Sequence, residues 1–388
     1  MLVSDEERRR RLAHRHLLIP AARVETVDEV VETLVALHSS DPVSVYLSAA
    51  LRMRAPTLAD VDEALYDDRR LIRHHAMRRT LWVMSNDMAR LAHDGFTRKI
   101  AAAERKRTAK LFGLDDDQVA EAVDRVTAVV LDAGEPITTR QVGDALPDLA
   151  VPVAVNQGTS YAGTMAVHVR ALLLAAFEAR IARGRPTGSW IASQYTWVPH
   201  AEWSRDAWEP GEEVAGAAAV LRGWLVTSAP ATLDDLVWWS GSTKTLVRRA
   251  LEMIGAAEVE LAEGAGWVMA DDVPDHGAGT PDPGPWVALL PGLDPTAMGW
   301  KQRAWYLDAE TAKRVTDRNG NIGPTVWADG RIVGGWIQRP DGSIAHDAEL
   351  DEAHVELLQH EIDRLRELVG ESRFTVRFAS PNQQHLLA

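Results

Sequence analysis

Cysteine is absent from all 388 residues. Without it there can be no disulfide, thiol nucleophile, iron–sulfur cluster or thiolate zinc site. Long apolar runs are missing too, since nothing approaches the roughly 18 residues of a membrane span. The opening MLVSDEERRRRLAHRH lacks the apolar core of a signal peptide. A cytoplasmic, nucleoid-associated protein with no membrane partner is the expectation. Also missing are GxxxxGK(S/T), GxGxxG, HExxH and GxSxG, which sets aside ATP-driven, nicotinamide and zincin chemistry. The 13 histidines do not restore a metal: His14, His16, His74 and His75 sit among arginines that oppose a bound cation. No metal and no cofactor are expected.

What is present is an ordinary globular composition, 46% apolar and 25% charged, which argues against wholesale disorder. The length suggests about two to four domains. The formal charge of −14 argues against a nucleic-acid partner until it is divided along the chain. Residues 1–110 hold 20 Lys+Arg against 16 Asp+Glu (+4), and the remainder 22 against 40 (−18). The basic residues of the first part fall in three runs, around Arg8–Arg11, Arg69–Arg79 and Arg98–Lys110. Each run alone reads as a solvated helix face; together they suggest a basic face.

Periodicity organises the chain. Val27, Val30, Val31, Leu34 and Val35 fall at helical spacing behind Thr26, and Thr57 with Asp60 resembles a capping box. Residues 69–85 read as extended. Twice further on, two helices, a third helix and a two-stranded ribbon follow one another, the order of a winged helix. The expected fold is α+β, mostly α: tandem winged-helix units at 1–110, 111–204 and 205–272, then a small C-terminal β-barrel with one helix at 273–388. The barrel rests on alternating apolar residues in TVWADGRIVGGWIQ, whose Asp329–Gly330 is a hairpin signal, and in FTVRF. Val355, Leu358, Ile362 and Leu365 give the helix one apolar face.

The densest polar chemistry lies in LHSSDP, residues 37–42, between two apolar helices. The plain reading is a helix-to-helix turn capped by Ser40 or Asp41. The functional reading projects His38, Ser40 and Asp41 into a cleft, Asp41 to stabilise a cation or orient water and His38 to move a proton. Arg73, Arg78 and Arg79 are the nearest candidates for phosphate contacts, with a charged strand edge as the plainer alternative. Lys244, Arg248 and Arg249 lie on a recognition-type helix of the third unit as further candidates for DNA contact, where Glu252 and the acidic surround make a structural or weakly contacting role the plainer reading.

LVALHSSDPVSVYLSAALRMR followed by LIRHHAMRRTLWV resembles the N-terminal unit of the AlkZ/YcaQ-like winged-helix DNA glycosylases. ATLDDLVWWSG, LLPGLDPTAMGWKQR and GPTVWADGRIVGGWIQ extend the resemblance over the chain, in the family's order. It implies excision of cationic N-alkylated purines from double-stranded DNA by a monomer. In the family a Gln–apolar–Gln or Gln–apolar–Asp motif stands where this chain has His38-Ser39-Ser40, and Arg79 replaces the glycine of an MRGTLH-type run. A non-catalytic winged-helix DNA-binding protein is therefore the alternative, and a protein-binding scaffold a third possibility.

Overall fold

The structure is a computed structural model, and it describes residues 2–158, 162–204, 208–273 and 279–387. One order of elements recurs three times. In the first unit the helix Val27–Leu34 leads to the short strand Leu37–His38, the helices Pro42–Ala50 and Leu58–Asp62, and the strands Leu71–His75 and Leu81–Ser85. In the third, the helix Glu213–Ser228 leads to Ala231–Thr232, the helices Leu233–Ser240 and Lys244–Met253, and the hairpin Ala257–Leu261 with Gly264–Val268. The second runs from the helix Asp116–Asp132 through Ile137–Thr138, Thr139–Ala145 and Val167–Phe177 to the hairpin Ile181–Pro186 with Tyr195–Pro199, and adds a small ribbon, Val153–Val155 with Gly163–Met165. In all three sheets the first short strand pairs with the last strand, which thus lies in the middle.

Local chemistry explains the helix starts. Thr26 with Glu29, Thr57 with Asp60, Thr138 with Gln141 and Thr232 with Asp235 form reciprocal capping boxes, each satisfying two otherwise orphaned amide donors. The second and third units pass from first strand into helix with no residue between, whereas the first interposes Ser39, Ser40 and Asp41.

The C-terminal part corrects the expected barrel. Its strands Val287–Leu290, Thr325–Ala328, Arg331–Gln338 and Ile344–His346 form an open antiparallel meander in sequence order. Closure would need a further strand, and FTVRF is not one: residues 374–378 have no strand assignment. Phe374 is held instead by the side chain of Gln338, and the Arg377 amide by Asp41. The hairpin at Asp329–Gly330 forms as expected, both residues having positive φ (46° and 80°). The helix Glu352–Val369 buries Leu358, Ile362 and Leu365 but leaves Val355 in solvent.

The second unit has its own apolar core around Val123, Val126, Leu172 and Trp197. The first and third share a core with the C-terminal sheet, through Trp82, Trp224, Trp239, Trp300 and Trp327. Their backbones meet closely: a Cβ on Gly95 would strike the backbone of Ala217, so only glycine permits this approach. Arg52 and Asp294, both fully buried, form a bidentate ion pair 2.7–2.8 Å long that ties the first unit to the C-terminal part.

Candidate nucleic-acid site

Residues 38–41 are clasped by Arg377 of the C-terminal segment, and the third unit packs nearby on Trp82 and Arg78. His38 sits opposite Trp82 in the ladder, its ring edge-on to the indole at 4.9 Å. The backbone amide of Ser40 donates to His38 Nδ1 at 3.4 Å, which leaves the Nε2 proton as the donor of a neutral ring. Burial, and then the charge of Arg78, push the His38 pKa down to about 3. At neutral pH it is an uncharged imidazole.

Asp41 is the N-cap of Pro42–Ala50. Its Oδ1 accepts from the Val43 amide and its Oδ2 from the Arg377 amide, both at 3.2 Å. Burial raises its pKa against the pull of those two amides and the Arg377 charge. Arg377 also donates from its guanidinium to the Ser40 carbonyl at 2.9 Å, so the C-terminal segment clasps the turn from outside. Ser40 is half-buried, and Ser39 is buried with no hydrogen-bond partner for its hydroxyl.

The three candidate arginines of the second basic run, which also holds Arg69 and Arg70, have different surroundings. Arg78 and Arg79 do not lie on a strand edge: they occupy a tight turn with φ of 55° and 61°. Two successive left-handed non-glycine residues cost roughly 1–2 kcal/mol each. That is the position at which the resembling family has its glycine. Gly241 of the third unit presses on this turn, and a Cβ there would lie 2.8 Å from the Arg78 amide. The Arg78 guanidinium lies 4.4 Å from the Trp238 ring and 5.7 Å from the Trp82 ring, and neither Nε nor Nη2 finds a partner. Burial, then Arg303 on the same Trp238 ring at 5.2 Å, lower its pKa to about 10, so it stays charged. Arg79 is half in solvent and paired with Glu104 at 3.0 Å. Arg73 is buried, with Nε and Nη2 unpartnered.

Lys244, Arg248 and Arg249 are exposed on Lys244–Met253, away from the turn, and Lys244 pairs with Asp234 at 2.8 Å. The first basic run is structural. Arg8 and Arg11 are buried against Glu263 and Asp272, and Arg15 also pairs with Asp272. Elsewhere in the first unit Arg69, Arg70 and Arg105 pair with Glu202, Asp28 and Glu178. Most of the apparent basic face is therefore already neutralised. Two further residues carry no signal in the sequence: Arg377, in FTVRF, and Arg183, on the strand Ile181–Pro186. Neither stands in a motif. Among the described residues no group of three or more His, Asp or Glu is placed to hold a metal ion, and no helix is long and apolar enough to cross a membrane.

Comparison with known proteins agrees with this layout. A family model described as DNA glycosylase AlkZ-like matches residues 31–368. Among solved structures, the Streptomyces sahachiroi DNA glycosylase AlkZ superposes with a TM-score of 0.76 at 22% identity, covering 98% of this chain and 100% of that one. At that identity the superposition speaks for the fold. No curated protein sequence matches.

Proposed function

The chain belongs to the AlkZ-like DNA glycosylase family, and on that footing we propose that it hydrolyses the N-glycosidic bond of alkylated, cationic purines in duplex DNA. It does so as a monomer, without metal or cofactor. The threefold recurrence of helix, strand, two helices and hairpin supports reading residues 1–110, 111–204 and 205–272 as tandem winged helices, with 273–388 as the closing domain.

The observation that carries the activity is the three-residue insertion before the helix Pro42–Ala50, found in the first unit alone and clasped by Arg377. A cationic N7- or N3-alkylpurine leaves as a neutral base and needs no proton. What remains is to place water at the sugar carbon and stabilise an oxocarbenium-like sugar. Each Asp41 oxygen accepts one amide and keeps a second acceptor position. One carboxylate can thus cap the helix and hold water, work that contributes on the order of 10²–10⁴ in rate. His38, neutral and with Nε2–H free to donate, serves the Gln position as a hydrogen-bond donor. Arg73, Arg78 and Arg79 flank the turn as phosphate contacts, while Lys244, Arg248 and Arg249 approach the backbone from the third unit.

One observation favours the second reading, a non-catalytic lesion binder: His38 is only 6% exposed. Base release from a duplex carrying N7-methylguanine or 3-methyladenine decides between them. The enzyme reading expects release that Asp41→Asn lowers at least tenfold. Release no greater than that of the variant, with duplex binding intact, would select the binder.

A further inference from the structure

Arg73 and His75 point from the same face of the strand Leu71–His75, two residues apart. The strand Ile181–Pro186 of the second unit packs against them and brings Arg183. The polar atoms gathered there lack partners. They are Nε and Nη2 of Arg73, Nε of Arg183, both ring nitrogens of His75 and the hydroxyl of Tyr66, which lies beside that of Tyr46; the unpartnered hydroxyl of Ser39 lies at the other edge of the sheet, across the strand Leu81–Ser85. The Arg73 guanidinium lies 5.8 Å from the Tyr66 ring, and that of Arg183 lies 3.8 Å from the Tyr195 ring. Burial, against the favourable pull of Tyr195 and reinforced by the charges of Arg73 and Arg377, lowers the Arg183 pKa to about 10, so it remains a cation. His75, forced down by burial and by Arg183, is neutral.

The nearby carboxylates are already taken. Asp62 receives the Tyr46 hydroxyl and pairs with Arg185 at 3.2 Å, and Arg185 pairs again with Asp67 at 2.7 Å. Asp41 is occupied by two amides. Among the described residues, neither Arg73 nor Arg183 has a hydrogen bond or an ion pair. An uncompensated buried guanidinium is costly, and two that repel one another are more so. Arg183 is half-buried, so the cluster reaches solvent at its Arg183 end, on the side of the exposed Arg377.

We propose that Arg73 and Arg183, with the hydroxyl of Tyr66, form a seat for a phosphate oxyanion. Two guanidiniums supply the planar, forked donors that match phosphate, and the hydroxyl completes them. The seat itself stands apart from the glycosylase reading. Only the identity of the phosphate's owner rests on that reading: the backbone of the DNA strand whose nucleotide meets the turn, through the Arg377 side chain that both places share.

Two measurements on the full chain test it. In the first, the melting temperature is followed in sodium phosphate against sodium chloride of equal ionic strength. The wild type gains about 2 °C at phosphate ten times its Kd, while Arg73→Met gains nothing and melts no lower than wild type in chloride. Arg183→Gln, at a half-buried position, carries the same comparison if Arg73→Met does not fold. In the second, undamaged duplexes with single neutral methylphosphonate linkages are titrated. Arg73→Met weakens duplex binding about ten- to a hundredfold, and one linkage that matters to wild type no longer matters to the variant. A phosphate shift with unchanged duplex affinity supports the seat and assigns it to free phosphate. No phosphate shift in wild type, with duplex affinity unchanged in both variants, overturns it. Loss of the base-release reading with the phosphate shift intact would leave the seat standing.

Discussion

Acid should unfold this protein earlier than its carboxylates alone would dictate. His16, His38, His74, His75 and His200 are all buried. Burial is the first cause of every depressed value: His16 and His38 fall to about 3, His200 to about 4, and His74 and His75 well below the ordinary range. Neighbouring charges add to this, Arg52 at His16, Arg78 at His38 and Arg183 at His75. A base held neutral in the fold binds its proton only after unfolding. Its stabilisation is therefore full above pH about 6.5 and is lost as pH falls toward the folded pKa.

Each pH unit in that window costs about 1.4 kcal/mol per histidine. Between pH 7 and 5.5 the loss integrates to about 1.3 kcal/mol for each, and so to about 6 kcal/mol for the five together. That is comparable with the whole stability of many proteins, about 5–15 kcal/mol. His354 runs the other way: its partial burial is outweighed by Asp351 and Asp329, its pKa is raised, and it favours the fold as pH falls. One such group does not offset five. Urea unfolding at closely spaced pH values measures the slope, and His38→Gln, which restores the family's residue, should remove about one proton from it. Stability constant to within about 1 kcal/mol from pH 7 to 5.5 would refute the reasoning.

Gly241→Ala should cost about 2 kcal/mol or more, because its φ is +67° and the new Cβ meets the Arg78 backbone at 2.8 Å. Thermal unfolding reads the cost, and base release should fall with it because the Arg78 turn must move. Duplex binding should follow salt with a shallow slope. Arg73, Arg78, Arg183, Arg248, Arg249 and Arg377 make no ion pair among the described residues, and with Arg73 and Arg183 on one phosphate they give about five phosphate contacts and a log–log slope of about −4 to −5. A slope beyond about −8 would mean that the ion pairs of the first basic run open on DNA.

The repeating helices and hairpins were legible because capping and period are local: Thr26, Thr57 and the Asp329–Gly330 turn each carry their signal within four residues. The barrel was not, because closure depends on how the end of the chain pairs. Phe374 and Arg377 alternate like a strand yet spend their amides on Gln338 and Asp41. The polar turn at 38–41 stood out because it interrupts two apolar helices, but Arg377, which clasps it, and Gly241, which presses on the neighbouring Arg78 turn, come from far along the chain, where no spacing rule connects them. Charge misled most. A run of arginines looks the same in sequence whether it faces phosphate or Asp272, and only the fold divides Arg8, Arg11 and Arg15, already neutralised, from Arg73 and Arg183, which are not. For an acidic protein acting on DNA, the figure that matters is the number of cations left without a partner. Those near the turn are few and partly buried, and two of them, Arg73 and Arg183, meet at one place, which suits gripping a single phosphate more than coating a duplex.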